Sequence, residues 1–352
     1  MPIPMKILRN QHPASLFIVS IDLQSIGGVQ EAVRRLLGAL DAQGITNRTF
    51  SLWQKGRGVS ARLLNLLRFL WVLLRFSGAT RWTVLITVTG FDALAAAGLC
   101  RFLGVPYVMW EHGRPDFFVR QRSWRALAPF VYRNAHAVVV LDDAFARNRF
   151  PPAKYRVIPN FLRAQTFDIT KLAHPSHAHA AGKVFWIGRI SPEKRPELGW
   201  ALLESLALEE SSTDMLFVSD RRLFDAQERP HSSVRWIDGA GLDVQSLLKP
   251  SDVVLLTSTT EAMPMVLFEA LCAGSSVVAA DCTPWVRRMH AAGLGVAVPI
   301  DADTSVWVDA LRTALHESPL QCVSRTEKTQ AFLMTLSSKA VLSMWMEVLD
   351  EY

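Results

Sequence analysis

Runs of hydrophobic residues recur along the chain and alternate with stretches in which apolar positions return every three or four residues. The first run, Ser15–Ser20, has the composition of a buried strand, and a helical pattern over Val29–Leu40 follows it. Further strand-like runs are Trp82–Val88, Tyr107–Trp110 and Ala137–Leu141. Because strands that alternate with helices typically build a parallel sheet covered on both faces, this half of the chain predicts a doubly wound α/β domain.

The periodic pattern fades between residues 163 and 182 and then starts again. Five strand-like runs with helical stretches between them follow, namely Lys183–Ile187, Met215–Ser219, Val234–Ile237, Val253–Thr257 and Ser276–Ala280. The stretch from Ser324 to Leu349 has the pattern of one or two helices. We therefore predict two Rossmann-like domains, residues 1–168 and 169–335, with a C-terminal helix over about 336–352 that packs back on the first domain.

Length and hydrophobicity fit this interpretation. The chain has 352 residues, half of them hydrophobic, so two cores can be buried. No run of about 18 uncharged apolar residues is present, and a membrane-spanning helix is therefore not predicted. The first residues lack the hydrophobic core of a signal peptide. These features favour a cytoplasmic protein.

Cysteine and histidine residues predict no metal site. The four cysteines are scattered without metal-ligand spacing, at Cys100, Cys272, Cys282 and Cys322. We expect them to be reduced thiols. Three histidines stand close together at 174, 177 and 179, but they lie in a linker composition without companion ligands.

Charge is divided unevenly along the chain. Residues 1–170 contain 22 Lys and Arg against 9 Asp and Glu, while the net charge of the whole chain is only +6, so the second half is acidic. A basic half indicates an anionic partner such as nucleic acid, a membrane surface or a phosphorylated acceptor. An arginine-rich composition without a specific partner would give the same count.

Glycines follow three of the predicted strands. Gly27 and Gly28 follow the first strand, Gly188 follows Phe185-Trp-Ile, and Gly239 follows Trp236-Ile-Asp. Glycine at the carboxyl end of a parallel strand lets a ligand approach the backbone, and the next helix N-terminus attracts an anion. Glycine also simply ends strands, so each turn alone is a weak indication. None forms Gly-x-Gly-x-x-Gly, which argues against a dehydrogenase.

Two cations flank a short loop after the first strand of the second domain. Arg189 and Lys194 enclose Ile-Ser-Pro-Glu, and a helix is predicted to begin just beyond them. Two cations beside a helix N-terminus make a site for a diphosphate. Surface charge around a helix cap is the alternative interpretation.

Two carboxylates are spaced across a predicted loop and helix in Glu261-Ala-Met-Pro-Met-Val-Leu-Phe-Glu269. Pro264 fits the first turn of a helix, which places Glu261 in the loop above the helix N-terminus. The free N–H groups near Met265 and Val266 suit a phosphate. Glu269 stands in an apolar run, where a carboxylate is costly to bury without hydrogen-bond donors. The two hydroxyl groups of a ribose would supply such donors. A capping Glu and a helix-surface Glu remain the alternative.

Taken in chain order, these segments resemble one known family. The strand and loop from Phe185 to Lys194, the Trp236-Ile-Asp-Gly turn, Ser251-Asp252 before a strand, and the two glutamates followed by Ala-Leu-Cys-Ala-Gly are similar to the family-four group of retaining glycosyltransferases. That family includes enzymes of bacterial envelope polysaccharide and lipopolysaccharide synthesis. The resemblance is specific over residues 183–282 and looser over 15–165, where Gly27-Gly28 and Glu111-His112 match.

The resemblance implies a GT-B fold, in which two Rossmann-like doubly wound domains face a central cleft. It implies that Arg189 and Lys194 hold the diphosphate of a nucleotide-sugar donor, with help from backbone at Gly28 and at the helix after Pro264, including Met265 and Val266. The Gly27 and Gly239 turns are expected to approach the donor as well. A UDP-sugar is expected as the donor in preference to a GDP-sugar, and no metal is expected to be required.

The remaining roles that the resemblance implies concern the sugar, the ribose and the acceptor. Glu261 would contact the donor sugar hydroxyls, Glu269 the ribose, and His112 would lie near the donor sugar and the acceptor. The leaving phosphate itself would deprotonate the acceptor. Two segments depart from the family pattern, Ser219-Asp220-Arg221-Arg222 and Cys282-Thr-Pro-Trp285. Both are expected near the base or sugar pocket, so the donor's identity stays open.

The basic half carries two segments of further interest. Residues 57–76 predict a helix that is apolar almost all round, with Arg57, Arg68 and Arg75 within about 40° of one another. It fits an interfacial helix on anionic lipid, or a buried helix with one polar edge. Residues 114–125 interleave arginines with aromatic residues and could bind acceptor phosphates.

We therefore expect a glycolipid or oligosaccharide acceptor, met by a peripheral protein at the inner face of a membrane. No nucleic-acid motif is present, and no nucleic-acid partner is expected. Two other functions stay open on the sequence. One is a non-catalytic GT-B module that binds a nucleotide or glycan, and the other is a nucleic-acid-binding protein that uses the basic half.

Overall fold

The computed structural model of the chain describes residues 15–21, 28–45, 47–53, 59–76, 82–88, 91–113, 127–147, 154–162, 182–220, 223, 233–239 and 242–350. The chain divides into two compact units. Unit 1 consists of Met1–Ile158 with Leu342–Tyr352, and unit 2 consists of Pro159–Val341. The predicted domain boundary at 168/169 and the three linker histidines lie outside the described residues.

Unit 1 contains a six-stranded parallel sheet. Its strands are β1 (Ser15–Ile21), β2 (Asn47–Trp53), β3 (Trp82–Val88), β4 (Tyr107–Glu111), β5 (Ala137–Val140) and β6 (Tyr155–Val157). Their order in the sheet is β2-β1-β3-β4-β5-β6, and every pairing is parallel. The helices are α1 (Gly28–Ala42), α2 (Val59–Phe76), α3 (Phe91–Phe102) and α4 (Leu127–Asn134).

The two strands that the hydrophobic pattern did not predict lie at the two edges of this sheet. β2 has the mixed sequence NRTFSLW, and β6 has only three residues, all half-buried. An edge strand is partly exposed and therefore does not need the continuous apolar run that marks a central parallel strand. The central strands β3, β4 and β5 are buried and apolar, and their bounds agree with the prediction to within one residue.

Unit 2 contains a second six-stranded parallel sheet. Its strands are β7 (Val184–Ile187), β8 (Met215–Ser219), β9 (Val234–Asp238), β10 (Val253–Leu256), β11 (Ser276–Ala280) and β12 (Gly295–Val298). Their order is β12-β11-β10-β7-β8-β9, again parallel throughout. The helices are α5 (Pro196–Glu209), α6 (Val244–Leu247), α7 (Met265–Cys272), α8 (Pro284–Ala291), α9 (Thr304–Leu315) and α10 (Pro319–Met334).

The last helix, α11 (Ser338–Asp350), begins in unit 2, and its residues from Leu342 onward belong to unit 1. Within unit 1 the indole of Trp345 packs edge-on against Trp110 of β4, with ring centres 4.9 Å apart. Both indoles are fully buried. The aromatic contact anchors the end of the chain on the first sheet.

One stretch of the described residues, Leu320–Leu349, is long and apolar enough to cross a membrane by length and composition. It consists of most of α10 and α11, which are separated at residues 335–337, and it carries five charged residues, Arg325, Glu327, Lys328, Lys339 and Glu347. A third of its most apolar window is buried. Core helices of globular proteins pass the same test, so this is weak support for a span.

Candidate functional site

The predicted cations and carboxylates of unit 2 follow two neighbouring strands, β7 and β10. β7 and β10 pair in parallel, with Val184 opposite Val253 and Trp186 opposite Leu255, so the loops that follow them emerge side by side. The first loop contains a short 3₁₀ turn over Pro192–Lys194. The N–H of Thr259 in the second loop donates to the carbonyl of Glu193 in the first, at 2.8 Å. Ligands of open α/β sheets bind at this edge.

Lys194 and Glu261 meet across these two loops. The Lys194 Nζ pairs with the Glu261 Oε1, and the hydroxyl of Ser258 donates to the same carboxylate oxygen at 2.8 Å. The side chains of the ion pair are 19% and 14% exposed, so they are partly shielded from water but remain accessible to a ligand. The carboxylate is thus held by one cation and one neutral donor.

Thr257 supports the backbone beneath Lys194. The indole Nε1 of Trp186, on β7, donates to Thr257 Oγ1 at 2.9 Å. Thr257 Oγ1 in turn lies 2.7 Å from the carbonyl oxygen of Lys194 and 3.1 Å from that of Arg195. Both Trp186 and Thr257 are buried. Because the hydroxyl both accepts and donates, it links the β7 strand to the loop that carries Lys194.

Arg195 adds a second support, and it is not among the site residues predicted from the sequence. Its backbone is left-handed, with φ 47°, at the junction between the 3₁₀ turn and α5. Its guanidinium donates to the carbonyl of Thr257 at 2.6 Å and to that of Ile300 at 2.7 Å. Burial lowers the pKa of Arg195. A non-glycine residue in this conformation is strained, and the two hydrogen bonds offset the strain.

The helix after Glu261 begins one residue later than predicted. Pro264 lies just before α7 as its N-cap residue, with φ −76° and ψ 88°, and not within its first turn. The proline has no N–H to satisfy, so the first free N–H groups belong to Met265 and Val266, which are half-buried. Glu269 is also half-buried and lies four residues after Met265, which puts both on one face of the helix.

Arg189 and the glycine turns occupy the same edge of the sheet. Arg189 is exposed, and its neighbour Ile190 donates its N–H to Asp220 Oδ1 at 3.2 Å. The amide of Gly188 bonds to the carbonyl of Val218 at 3.0 Å, and the amide of Gly239 bonds to that of Ser219 at 2.7 Å. Both glycine amides therefore serve the sheet, and a Cβ would meet Trp186 at 3.1 Å from Gly188 and Val218 at 3.2 Å from Gly239, so packing accounts for both glycines.

Glu193 lies in the same 3₁₀ turn as Lys194. Burial raises its pKa, but the hydrogen bond from Ser191 Oγ at 2.7 Å, its own backbone and the charges of Arg189 and Lys194 together hold the pKa below its usual value. Glu193 is thus an anion, and its negative charge partly balances the positive charges of Arg189 and Lys194 in the same loop.

The predicted site residues of unit 1 are His112, Gly27 and Gly28. His112 directly follows β4, and its ring lies 4.2 Å from that of Trp110. Part of the residue reaches solvent, but Nε2 is buried and has no hydrogen-bond partner within the described part of the chain. Burial lowers the His112 pKa to about 3, so the imidazole is neutral at pH 7.

Gly28 is the exposed first residue of α1, and a Cβ at this position would meet no atom within 4 Å. The position is therefore open above a helix N-terminus. Gly27 and the basic-aromatic segment 114–125 lie outside the described residues. In the ranges that the structure describes, no group of three or more His, Cys, Asp or Glu could hold a metal ion. All four cysteines are free thiols, and Cys100 and Cys282 are buried.

Comparison with known proteins addresses the fold and the region that contains this site. Residues 177–329 match the protein-family model described as Glycosyl transferases group 1. The sequence matches no curated protein.

Solved structures resemble nearly the whole chain at low identity. HepE from Anabaena, in complex with UDP and glucose, has a TM-score of 0.70 and 15% identity, covering 96% of this chain and 100% of that one. An E. coli structure described as trehalose-6-phosphate with bound UDP-2-fluoro glucose has a TM-score of 0.70 and 14% identity, and the match covers 96% of this chain and 99% of that one. Sucrose-phosphate synthase from Thermosynechococcus elongatus has a TM-score of 0.70 and 14% identity, and the match covers 96% of this chain and 98% of that one.

The region of the family match contains Arg189, Lys194, Gly239, Glu261 and the whole of α7. The structural similarity extends over both units, and at these identities it establishes the fold. The α/β fold class predicted from the sequence is thereby confirmed. The chain has the GT-B fold, and the part of it that matches the Glycosyl transferases group 1 model is residues 177–329.

Proposed function

We propose that this protein is a glycosyltransferase that moves a sugar from a nucleotide-diphosphate sugar to a hydroxyl group of an acceptor. The observation that carries the proposal is the pairing of Lys194 with Glu261 at the carboxyl ends of β7 and β10, beside the N-terminus of α7. The cation and the free helix N–H groups suit the diphosphate of such a donor, and the carboxylate suits the hydroxyl groups of its sugar. The group 1 domain matched over residues 177–329 supports the same assignment.

Donor binding would change the partners of this pair. A diphosphate is a stronger partner for Lys194 than a single carboxylate, because its oxygens carry more charge and also accept from the N–H groups of Met265 and Val266. Once Lys194 turns to the diphosphate, Glu261 is released to accept hydrogen bonds from the sugar hydroxyls. Ser258 keeps the carboxylate in place throughout, since its hydroxyl donates to the same oxygen.

The other residues take the roles that their chemistry favours. Arg189, exposed at the start of the loop, adds positive charge for the diphosphate. Glu269, on the same face of α7 as Met265, accepts from the ribose hydroxyls. His112 is neutral at pH 7, so it acts as a hydrogen-bond partner of sugar or acceptor and not as a cation. Gly28, where a Cβ would meet no atom within 4 Å, allows close approach of the donor, and Gly239 lies at the sheet edge where the donor binds.

The reaction breaks the bond between the anomeric carbon and the diphosphate oxygen and forms one between that carbon and the acceptor oxygen. The acceptor proton passes to the departing phosphate oxygen, so no protein nucleophile is needed and the anomeric configuration is retained. Lys194, Arg189 and the α7 N-terminus stabilise the developing negative charge on the leaving group. This charge stabilisation makes a metal ion dispensable, and we expect EDTA to leave the rate unchanged within about twofold.

The donor and acceptor follow from the neighbours and from the charge of the first half. HepE is described with UDP and glucose and with UDP-glucose, which favours a UDP-sugar over a GDP-sugar. The basic composition of residues 1–170 favours an anionic glycolipid or oligosaccharide acceptor of bacterial envelope glycan synthesis. Such an acceptor would be met by a peripheral protein at the inner face of a membrane.

A thermal-shift screen of nucleotides tests the donor site. UDP, UDP-glucose, UDP-N-acetylglucosamine, GDP-mannose and free uridine are compared, and we expect the UDP compounds to raise Tm while uridine does not. Lys194→Gln should abolish the shift, whereas the exposed control Lys339→Gln should retain it. If no nucleotide diphosphate shifts Tm of the wild-type protein, the proposed donor site is wrong.

Release of UDP from the donor that binds separates the enzyme from its alternatives. Glu261→Gln should lower the rate of release at least about 100-fold while the variant stays folded. The exposed control Glu327→Gln should be unaffected. A non-catalytic module would bind the donor but release no UDP even as wild type. Binding to oligonucleotides without any nucleotide-diphosphate shift would instead favour a nucleic-acid-binding protein.

A further inference from the structure

The outer face of α2 is an apolar surface that unit 1 leaves exposed. Five large side chains are about half exposed there: Leu63 at 60%, Leu64 at 48%, Leu67 at 54%, Trp71 at 59% and Leu74 at 55%. At about 100° per residue they fall within an arc of roughly 100°. Isolated exposed leucines are normal, but a continuous row along one helix marks an interaction surface. We call these five residues the α2 outer face.

The opposite face of the same helix already anchors it to unit 1. Phe69 and Leu73 are fully buried, and the ring of Phe69 lies 5.5 Å from that of Phe50. The side-chain amide of Asn65 donates to the carbonyl of Leu52 at 3.1 Å. Since this side supplies the packing that the fold needs, the α2 outer face is not required to hold the helix in place.

Arginines border the α2 outer face. Arg75 and Arg68 are exposed and lie about 20–40° beyond its edge on the helical wheel. The guanidinium of Arg75 lies 5.3 Å from the ring centre of Trp71. The helix contains three arginines and no Asp or Glu in its 18 residues. Within α2, the apolar row is therefore accompanied along one edge by positive charge, and the helix itself supplies no negative charge.

We propose that the α2 outer face docks on an anionic lipid bilayer. The leucines and Trp71 would enter the boundary between headgroups and acyl chains, while Arg68 and Arg75 remain at the level of the lipid phosphates. Charge favours this occupant over a second copy of the chain. In a two-fold symmetric dimer built on this face, α2 supplies no carboxylate to pair with Arg68 and Arg75, and in an antiparallel arrangement the two arginine edges would lie against each other. The inference concerns unit 1 and does not depend on the proposed transfer reaction.

Vesicle co-sedimentation of the full chain tests the proposal. Vesicles of phosphatidylcholine alone are compared with vesicles containing 30% phosphatidylglycerol, and we expect binding only to the second. The Arg68→Gln/Arg75→Gln double variant should lower the partition coefficient about 25-fold, since each arginine near an anionic surface contributes about fivefold. The triple variant Leu63→Gln/Leu67→Gln/Trp71→Gln should lower it at least about 10-fold.

Matched controls keep the result interpretable. Leu208→Gln replaces a leucine that is 86% exposed in unit 2, and Arg133→Gln removes an exposed arginine of unit 1; both should bind vesicles like wild type. All variants should keep the wild-type Tm and the UDP-induced shift. The proposal is overturned if wild-type protein does not bind anionic vesicles or if both variants bind as it does. It is also overturned if the triple variant instead converts a dimer to a monomer.

Discussion

The ammonium group of Lys194 and the carboxylate of Glu261 form an ion pair, although 67 residues separate them in the sequence. Hydroxyl groups next to the pair hold the Glu261 side chain and the Lys194 backbone. Ser258 donates to Glu261, and the carbonyl of Lys194 lies within hydrogen-bond distance of the Thr257 hydroxyl. The pair therefore joins the two loops that the family-matched region contributes to the site, and it is where the proposed function is most directly tested.

Replacing Lys194 should weaken nucleotide binding, whereas replacing Glu261 should not. Lys194→Gln removes the cation, and we expect Kd for UDP to rise about 10- to 100-fold because a charge-assisted hydrogen bond is lost. Glu261→Gln removes the competing carboxylate, so Kd for UDP should stay the same or fall, while transfer is lost. Isothermal titration calorimetry with UDP measures both. An equal weakening of UDP binding in the two variants would contradict these roles.

Thr257 should act as a positioning residue for Lys194. Thr257→Val keeps the shape but leaves the buried Trp186 Nε1 without its acceptor and the Lys194 carbonyl without its donor. We expect KM for the donor to rise between about 10- and 100-fold, with a smaller change in kcat, because the loop is misplaced and the reacting groups remain.

Two comparisons separate this effect from a general loss of stability. Thr257→Ser retains the hydroxyl and should restore most of the donor affinity. Thr313→Val removes an exposed hydroxyl that donates to the carbonyl of Asp309 in its own helix, and KM of this variant should be unchanged. A Thr257→Val protein that is less stable but has the wild-type KM would show a structural role alone.

Burial of His112 makes stability depend on pH. Burial lowers the folded-state pKa to about 3, against the ordinary value of 6.5 for the unfolded chain. Between these values the unfolded state binds one proton more, so the free energy of unfolding must rise with pH through this window and fall as acid is added. Between pH 7 and pH 5 the loss is at most about 2 kcal/mol from this residue.

Urea denaturation of wild type and His112→Gln at pH 7, 6 and 5 measures this contribution. The variant should lose less stability on acidification, whatever its stability at pH 7. The exposed control Thr313→Val changes no ionisable group and should retain the wild-type slope through the His112 window. Parallel slopes for wild type and His112→Gln would mean that His112 is not buried in its neutral form.

Two helical glycines should respond oppositely to alanine. A Cβ on Gly199 of α5 would approach the indole of Trp186 more closely than real Cβ contacts occur, and Trp186 is fully buried beneath the Lys194 loop. We expect Gly199→Ala to cost about 1–3 kcal/mol. Gly98 of α3 has open space, and Gly98→Ala should stabilise by about 0.5–1 kcal/mol through helix propensity. Denaturant midpoints of the two variants, compared with wild type, measure whether each substitution destabilises or stabilises the fold.

The pattern of apolar residues was sufficient to predict the central strands of both sheets. The bounds of β3, β8 and β11 match the predicted runs, because a strand buried on both faces must be continuously apolar. β2, β6 and β12 were not predicted. Each lies at an edge of its sheet, where the strand is partly exposed. Such a strand does not need a continuous apolar run, and that run is the pattern from which a strand is predicted.

The sequence by itself determined that two parallel α/β units alternate along this chain, and that cations, carboxylates and glycines follow particular strands. These are local properties, since a buried strand and the turn after it are determined by residues that are adjacent in the sequence. Only the tertiary structure decided that Lys194 meets Glu261, that Thr257 and Arg195 support their loop, and that half of α2 stays uncovered. Such contacts depend on which strands are neighbours in the sheet and which helix face packs on it, and these choices minimise the free energy of the whole fold.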